Sequence, residues 1–127
     1  MTPALVVGVA LAGGLGAAAR FVVDGLVRAR GSTRLPWGTV VVNVSGSLVI
    51  GLVNGAALFH GLGPTWLVVV ATGFCGGYTT FSTAMVESVR LVQSEEWRWA
   101  VANAFGTLAL CVVAAAAGVG LMWATAG

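Results

Sequence analysis

Four stretches of the chain carry no ionisable side chain, roughly 1–19, 35–59, 61–86 and 99–127, and short polar clusters separate them. An α-helix rises about 1.5 Å per residue, so each stretch can cross a hydrocarbon core of about 30 Å. The pattern predicts four transmembrane helices, at about 3–23, 37–59, 65–90 and 98–122. Pro3 suits a first helical turn, where a missing N–H costs nothing. Pro36 closes the first loop, and Trp37 follows it as an interfacial anchor. The turn HGLGP at 60–64 is short enough to make the second and third helices antiparallel neighbours. The link QSEEWRW at 93–99 is polar and holds two tryptophans. No internal repeat is visible, and residues 1–127 read as a single integral membrane domain of the all-α class.

Composition agrees. The chain is 58% apolar and 8% charged, with a mean hydropathy of +0.98. A soluble domain needs a charged shell that these residues cannot build. The start, MTPALVVG, has no basic segment ahead of its apolar run, so that run is read as a span rather than a cleaved signal. Arg28, Arg30, Arg34, Arg90 and Arg98 lie in the loops after the first and third spans, and the opposite side holds none. The positive-inside rule then places both basic loops in the cytoplasm and both termini outside. Six basic residues near membrane ends make no groove for nucleic acid. Cys75 and Cys111 fall inside spans, where packing is expected rather than a disulfide. No Cys/His cluster has metal-ligand spacing.

Polar residues within the spans point to function. Thr39 and Asn43 are four apart and share a helix face. An asparagine in hydrocarbon needs partners for its donors and its carbonyl, from a neighbouring helix or from a pore. Asn103, Thr107 and Cys111 recur every four residues, as packing or as a wet stripe. Gly51 with Gly55, and Gly73 with Gly77, have the spacing that lets helices approach closely. Arg20 lies near a membrane end, placed either to draw in an anion or to snorkel to headgroups.

The segment GFCGGYTTFST at 73–83 puts three glycines and four Ser/Thr residues inside a span. Paired glycines and weak helix formers predict a break there, near 73–80. Broken backbone at membrane depth is tolerated only inside protein or beside water and ions, and freed carbonyls can coordinate a cation. No span has a carboxylate at its centre, which disfavours proton-coupled export. There is also no base, nucleophile or metal set of the kind an enzyme needs.

Three ordered segments resemble one family. GGLGAAARF at 13–21 is similar to GGxxGAxxRY, GTVVVNVSGS at 38–47 to GTLxVNxxGS, and GFCGGYTTFST at 73–83 to GFCGGxTTFST. Together they cover three of the four spans, and the chain resembles the CrcB/Fluc fluoride channels over nearly its whole length. The resemblance implies an antiparallel dimer in the bacterial plasma (inner) membrane that lets fluoride leave the cytoplasm and so lowers its toxicity. It implies two pores lined by both subunits, and a structural, non-transported sodium ion held by the backbone carbonyls of Gly76 and Thr79 at the break. The fluoride path would then be formed by Asn43, Phe81, Ser82, Thr83 and Thr107, together with Thr39 and Arg20.

Two positions depart from the family pattern. Ala84 stands where a second pore phenylalanine is usual, and Asn103 where a tyrosine is usual. With the one-sided arginine distribution, this leaves two expectations for the dimer: a homodimer, or a heterodimer with a related chain of opposite orientation. Other functions considered are a small multidrug-type exporter, a proton-coupled fluoride exporter and a non-conducting subunit. The first would need a glutamate in the first span, which is absent.

Overall fold

The computed structural model describes residues 2–31 and 33–127. Met1 and Ser32, which fall within the predicted domain and the predicted basic loop, lie outside the described residues. Helix α1 spans Pro3–Arg28, and Thr2 caps it by accepting the Leu5 N–H at 3.2 Å. It continues to Arg28 rather than ending at about 23, because Asp24 and Arg28 form an i,i+4 ion pair at 2.9 Å that supports one more turn. Helix α2 spans Trp37–Phe59, in agreement with the predicted 37–59.

The third span is broken, as the sequence suggests, but the break sits later than the glycines. Helix α3 covers residues 64–78 and includes a wide, π-type stretch at Val68–Cys75. Gly76 and Gly77 remain helical, and Thr79 turns extended (φ −81°, ψ 159°). Helix α4 then runs Ser82–Gln93. Helix α5 spans Trp97–Thr125 and holds a second π-type stretch at Ala102–Gly106. The spans Pro3–Arg28, Trp37–Phe59, Pro64–Gln93 and Trp97–Thr125 are each long and apolar enough to cross a membrane. The chain is a multi-pass, all-α membrane protein.

Glycines place these helices. On α1, Gly16 faces the backbone of Phe74 and Tyr78, and Gly77 on α3 faces the backbone of Gly13. On α2, Gly51 lies on the Ala115 backbone of α5, Gly55 against Met122, and Gly118 answers from α5 against Leu48 and Leu52. A β-carbon at Gly16, Gly51, Gly77 or Gly118 would overlap main-chain atoms of the facing helix, so these positions set the interhelical distance. The pairs singled out in the sequence, Gly51/Gly55 and Gly73/Gly77, are all buried or half-buried in these contacts. Outward-facing Leu11, Leu15, Leu108 and Val113 are exposed, as a lipid-facing surface requires. Both cysteines are free.

Ion pairs join the basic segments at one end of the bundle. Arg28 donates to Glu87 at 3.1 Å as well as to Asp24, and Arg34 meets Glu96 at 3.1 Å. The end of α1, the start of α2, the end of α4 and the start of α5 therefore lie together. At the other end, His60 Nε2 lies 2.9 Å from the Met122 carbonyl and 3.0 Å from Thr125 Oγ1, closing the α2–α3 turn against the end of α5.

Candidate functional site

The break is held open by one side chain. Asn43 on α2 donates from Nδ2 to the Thr80 carbonyl at 2.8 Å and accepts the Thr80 N–H on Oδ1 at 2.8 Å. In a continuous helix that N–H would close on the carbonyl of Gly76, four residues back. The Thr83 N–H, which would close on Thr79, is instead accepted by Thr80 Oγ1 at 3.2 Å. Gly76 and Thr79 thus lose their helical donors, and neither carbonyl accepts another hydrogen bond among the described residues. Hard cations take oxygen ligands of this kind. The two carbonyls named from the sequence are of the donor type that a sodium ion takes, with no competing hydrogen bond among the described residues.

The end of α3 ahead of the break is also held against α2. The Tyr78 hydroxyl lies 2.9 Å from Ser45 Oγ, and the Tyr78 ring stacks on Phe74 at 5.7 Å between centroids. Gly46 leaves room for the Thr79 methyl and the Tyr78 ring. Thr79 also donates back to the Cys75 carbonyl at 2.8 Å, which satisfies the last turn of α3.

A cavity of about 340 Å³ opens beside the break. Arg20, Asp24, Ala17 and Phe21 of α1, Thr39 and Val42 of α2, and Thr80 and Thr83 line it. Asp24 offers it little negative charge, since both its oxygens accept from Arg28 Nε at 2.9 Å. Its carboxylate also lies against Gly38 in the first turn of α2, where backbone N–H groups favour an anion. Arg20, by contrast, has no carboxylate partner among the described residues and leaves the cavity with a cationic wall.

Of the residues singled out from sequence, Arg20, Thr39 and Thr83 meet in this cavity, and Asn43 adjoins it through Thr80. Phe81 is 78% exposed on the outer surface of the break, with Ser82 exposed beside it. Thr107 is half-buried on α5, away from the cavity. The expected stripe of Asn103, Thr107 and Cys111 does not run straight, because the π-type turn at Ala102–Gly106 shifts its register. Asn103 is buried and ties α5 to α4, donating to Ser88 Oγ at 2.8 Å and to the Ala84 carbonyl at 3.4 Å. Thr80, Tyr78 and Asp24 were not singled out. The i,i+4 spacing of Asp24 to Arg28 was a usable signal for one of them, whereas nothing local marks Thr80 as the partner of Asn43.

Residues 7–119 match the family described as CrcB-like protein, Camphor Resistance (CrcB). The chain belongs to the CrcB family. It is 52% identical over 121 residues to a protein of Leifsonia xyli subsp. xyli named Fluoride-specific ion channel FluC 1, covering 95% of this chain and 87% of that one. It is 46% identical over 114 residues to Fluoride-specific ion channel FluC 2 of Cutibacterium acnes, covering 89% and 93%. It is 41% identical over 111 residues to Fluoride-specific ion channel FluC 1 of Yersinia pseudotuberculosis, covering 82% and 85%. The CrcB match takes in Arg20, Asn43, the whole break and Thr107.

Proposed function

We propose that this chain is a subunit of a fluoride-selective ion channel, not an enzyme, which lets fluoride leave the cytoplasm. One observation carries the reading. On a chain 52% identical to a protein named for fluoride conduction, a helix break braced by Asn43 borders a cavity with an unpaired Arg20. Fluoride is small and strongly hydrated, so a path for it must replace water with hydrogen-bond donors. Asn43 has a second amide N–H beyond the one given to Thr80, and Thr39, Ser82, Thr83 and Thr107 carry hydroxyl donors. Arg20 attracts the anion toward the membrane end of the path. Phe81 offers the positive edge of its ring to an anion.

The working unit is an antiparallel dimer in the plasma membrane, with both termini of this chain outside. The free carbonyls of Gly76 and Thr79 would hold a structural sodium ion, whose positive charge favours a nearby anion. A heterodimer with a related chain is the second reading. It is favoured by Ala84, which supplies no second aromatic beside Phe81, and by the one-sided arginines.

The test is fluoride efflux from liposomes containing the purified chain alone, with sodium present and chloride as control. Fast fluoride efflux without chloride efflux is expected. Phe81→Ile is expected to cut that flux at least about tenfold with assembly intact, because the ring is exposed and supports no packing. Flux that requires a proton gradient would overturn the channel reading in favour of an exporter. Folded protein with no flux alone, but with flux when joined by a related chain, would establish the heterodimer. Flux and dimer stability unchanged when sodium is replaced by a large organic cation would remove sodium from the account.

A further inference from the structure

We infer that the arginine-lined cavity at the basic end of the bundle binds the phosphate of an anionic membrane phospholipid. The cavity is separate from the one beside the break and encloses about 560 Å³. Arg28, Arg30, Arg34 and Arg90 line it, from α1, the first loop and α4, with Glu87 the one carboxylate in its wall. Two of these guanidiniums are fixed in place: Arg28 by Asp24 and Glu87, and Arg34 by Glu96 and by the Trp99 ring, whose centroid lies 5.8 Å away. Arg30 and Arg90 have no acidic partner among the described residues. They leave two positive groups over a partly rigid basic floor.

The remaining wall selects a lipid over a free anion. Val27, Leu35 and Leu91 give the cavity an apolar side, and Trp37 stands at its rim, 46% exposed. Tryptophan marks the headgroup level of a membrane. Trp97 is exposed on the same end of the bundle. The cavity therefore lies where headgroup phosphates are concentrated, with apolar surface for the glycerol and first acyl carbons. Basic pockets between helices at a membrane surface hold anionic headgroups in this way, at about fivefold in affinity per arginine. The inference does not depend on fluoride conduction, since it uses only the membrane location and the basic end.

Native mass spectrometry of the purified chain in detergent, titrated with phosphatidylglycerol or with phosphatidylcholine, tests it. One phosphatidylglycerol per chain is expected to be retained at lipid concentrations where phosphatidylcholine is lost. Arg30→Gln with Arg90→Gln is expected to weaken that binding about 30-fold. Both side chains are exposed and unpaired, so folding is retained. Arg98→Gln, which removes an exposed arginine from the same end but outside the cavity, is expected to leave binding unchanged. Equal retention of the two lipids would overturn the inference, as would equal weakening by Arg98→Gln. Inorganic phosphate displacing the lipid at equal concentration would also overturn it, showing a site for the free anion.

Discussion

Two kinds of contact hold this bundle, and they sit in different places. Along α1–α3 and α2–α5 the helices touch through missing side chains: Gly16, Gly77, Gly51 and Gly118 each lie on a neighbour's backbone. Around the break the contacts are polar and reach across helices, from Asn43 to Thr80 and Ser45 to Tyr78, while Asn103 to Ser88 is a further polar contact at its periphery. Between helices in lipid there is no hydrophobic driving force, so close packing and hydrogen bonds share the task. The glycine seams give continuous, shape-determined contact. The polar staples act where the helix ladder is interrupted and backbone groups would otherwise lack partners. The difference teaches that the glycines of 73–77 do not make the break. They bring α3 onto α1, and the extended Thr79 and the Asn43 amide make the break just beyond them.

Substitutions can separate these roles. The largest effect is expected from the seams. Gly77→Leu would force α3 away from the Gly13 backbone and destabilise the fold by about 3 kcal/mol, the upper end for overpacking. Loss of a monodisperse peak in size-exclusion chromatography, or a collapse of the thermal transition, checks it. Asn43→Leu comes next, at about 2 kcal/mol, because two hydrogen bonds to the backbone of one residue, Thr80, are lost at once. Asn43→Asp sharpens that expectation, because a carboxylate accepts from the Thr80 N–H but cannot donate to its carbonyl. Its stability is expected to recover as pH falls and the acid regains a donor, a trend wild type would lack and thermal melts across pH would reveal. Asn103→Ala is expected to cost about 0.6 kcal/mol, a typical interhelical hydrogen bond in a membrane protein. If it exceeded the cost of Asn43→Leu, the division between break and periphery would fail. The smallest effect is expected from His60→Ala, a few tenths of a kcal/mol at an exposed turn.

Much of this was legible in the chain itself. Charge-free stretches predicted four spans, and α2 begins and ends where its tryptophan and the HGLGP turn indicate. Small-residue spacing pointed to Gly51, Gly55, Gly73 and Gly77, all of which meet facing helices. The π-type stretches were not legible, because the glycines within them, Gly73 and Gly106, do not separate a wide turn from an α-turn. That hid the register shift after Asn103. The pairing of Asn43 with Thr80 was hidden too, since 37 residues separate them and a membrane asparagine has several candidate partners. Motif similarity supplied candidate roles for Gly76 and Thr79 that local pattern alone could not assign. In the structure the Thr80 N–H goes to Asn43 and the Thr83 N–H to Thr80 Oγ1, so neither reaches those two carbonyls.

The ion pair between Arg28 and Glu87 also has a consequence for biogenesis. Its partners are 59 residues apart, and the acidic one belongs to the later span. At about 5–20 residues per second, the ribosome needs roughly 3–12 s to make the intervening chain. During that interval Arg28 at the end of α1 exists without the Glu87 carboxylate, and only its pair with Asp24 can form. Glu87 arrives later in synthesis, and its pair with Arg28 then fastens the third span to α1. The same arginine is held within its own helix by Asp24 and across helices by Glu87, a clasp closed in two steps.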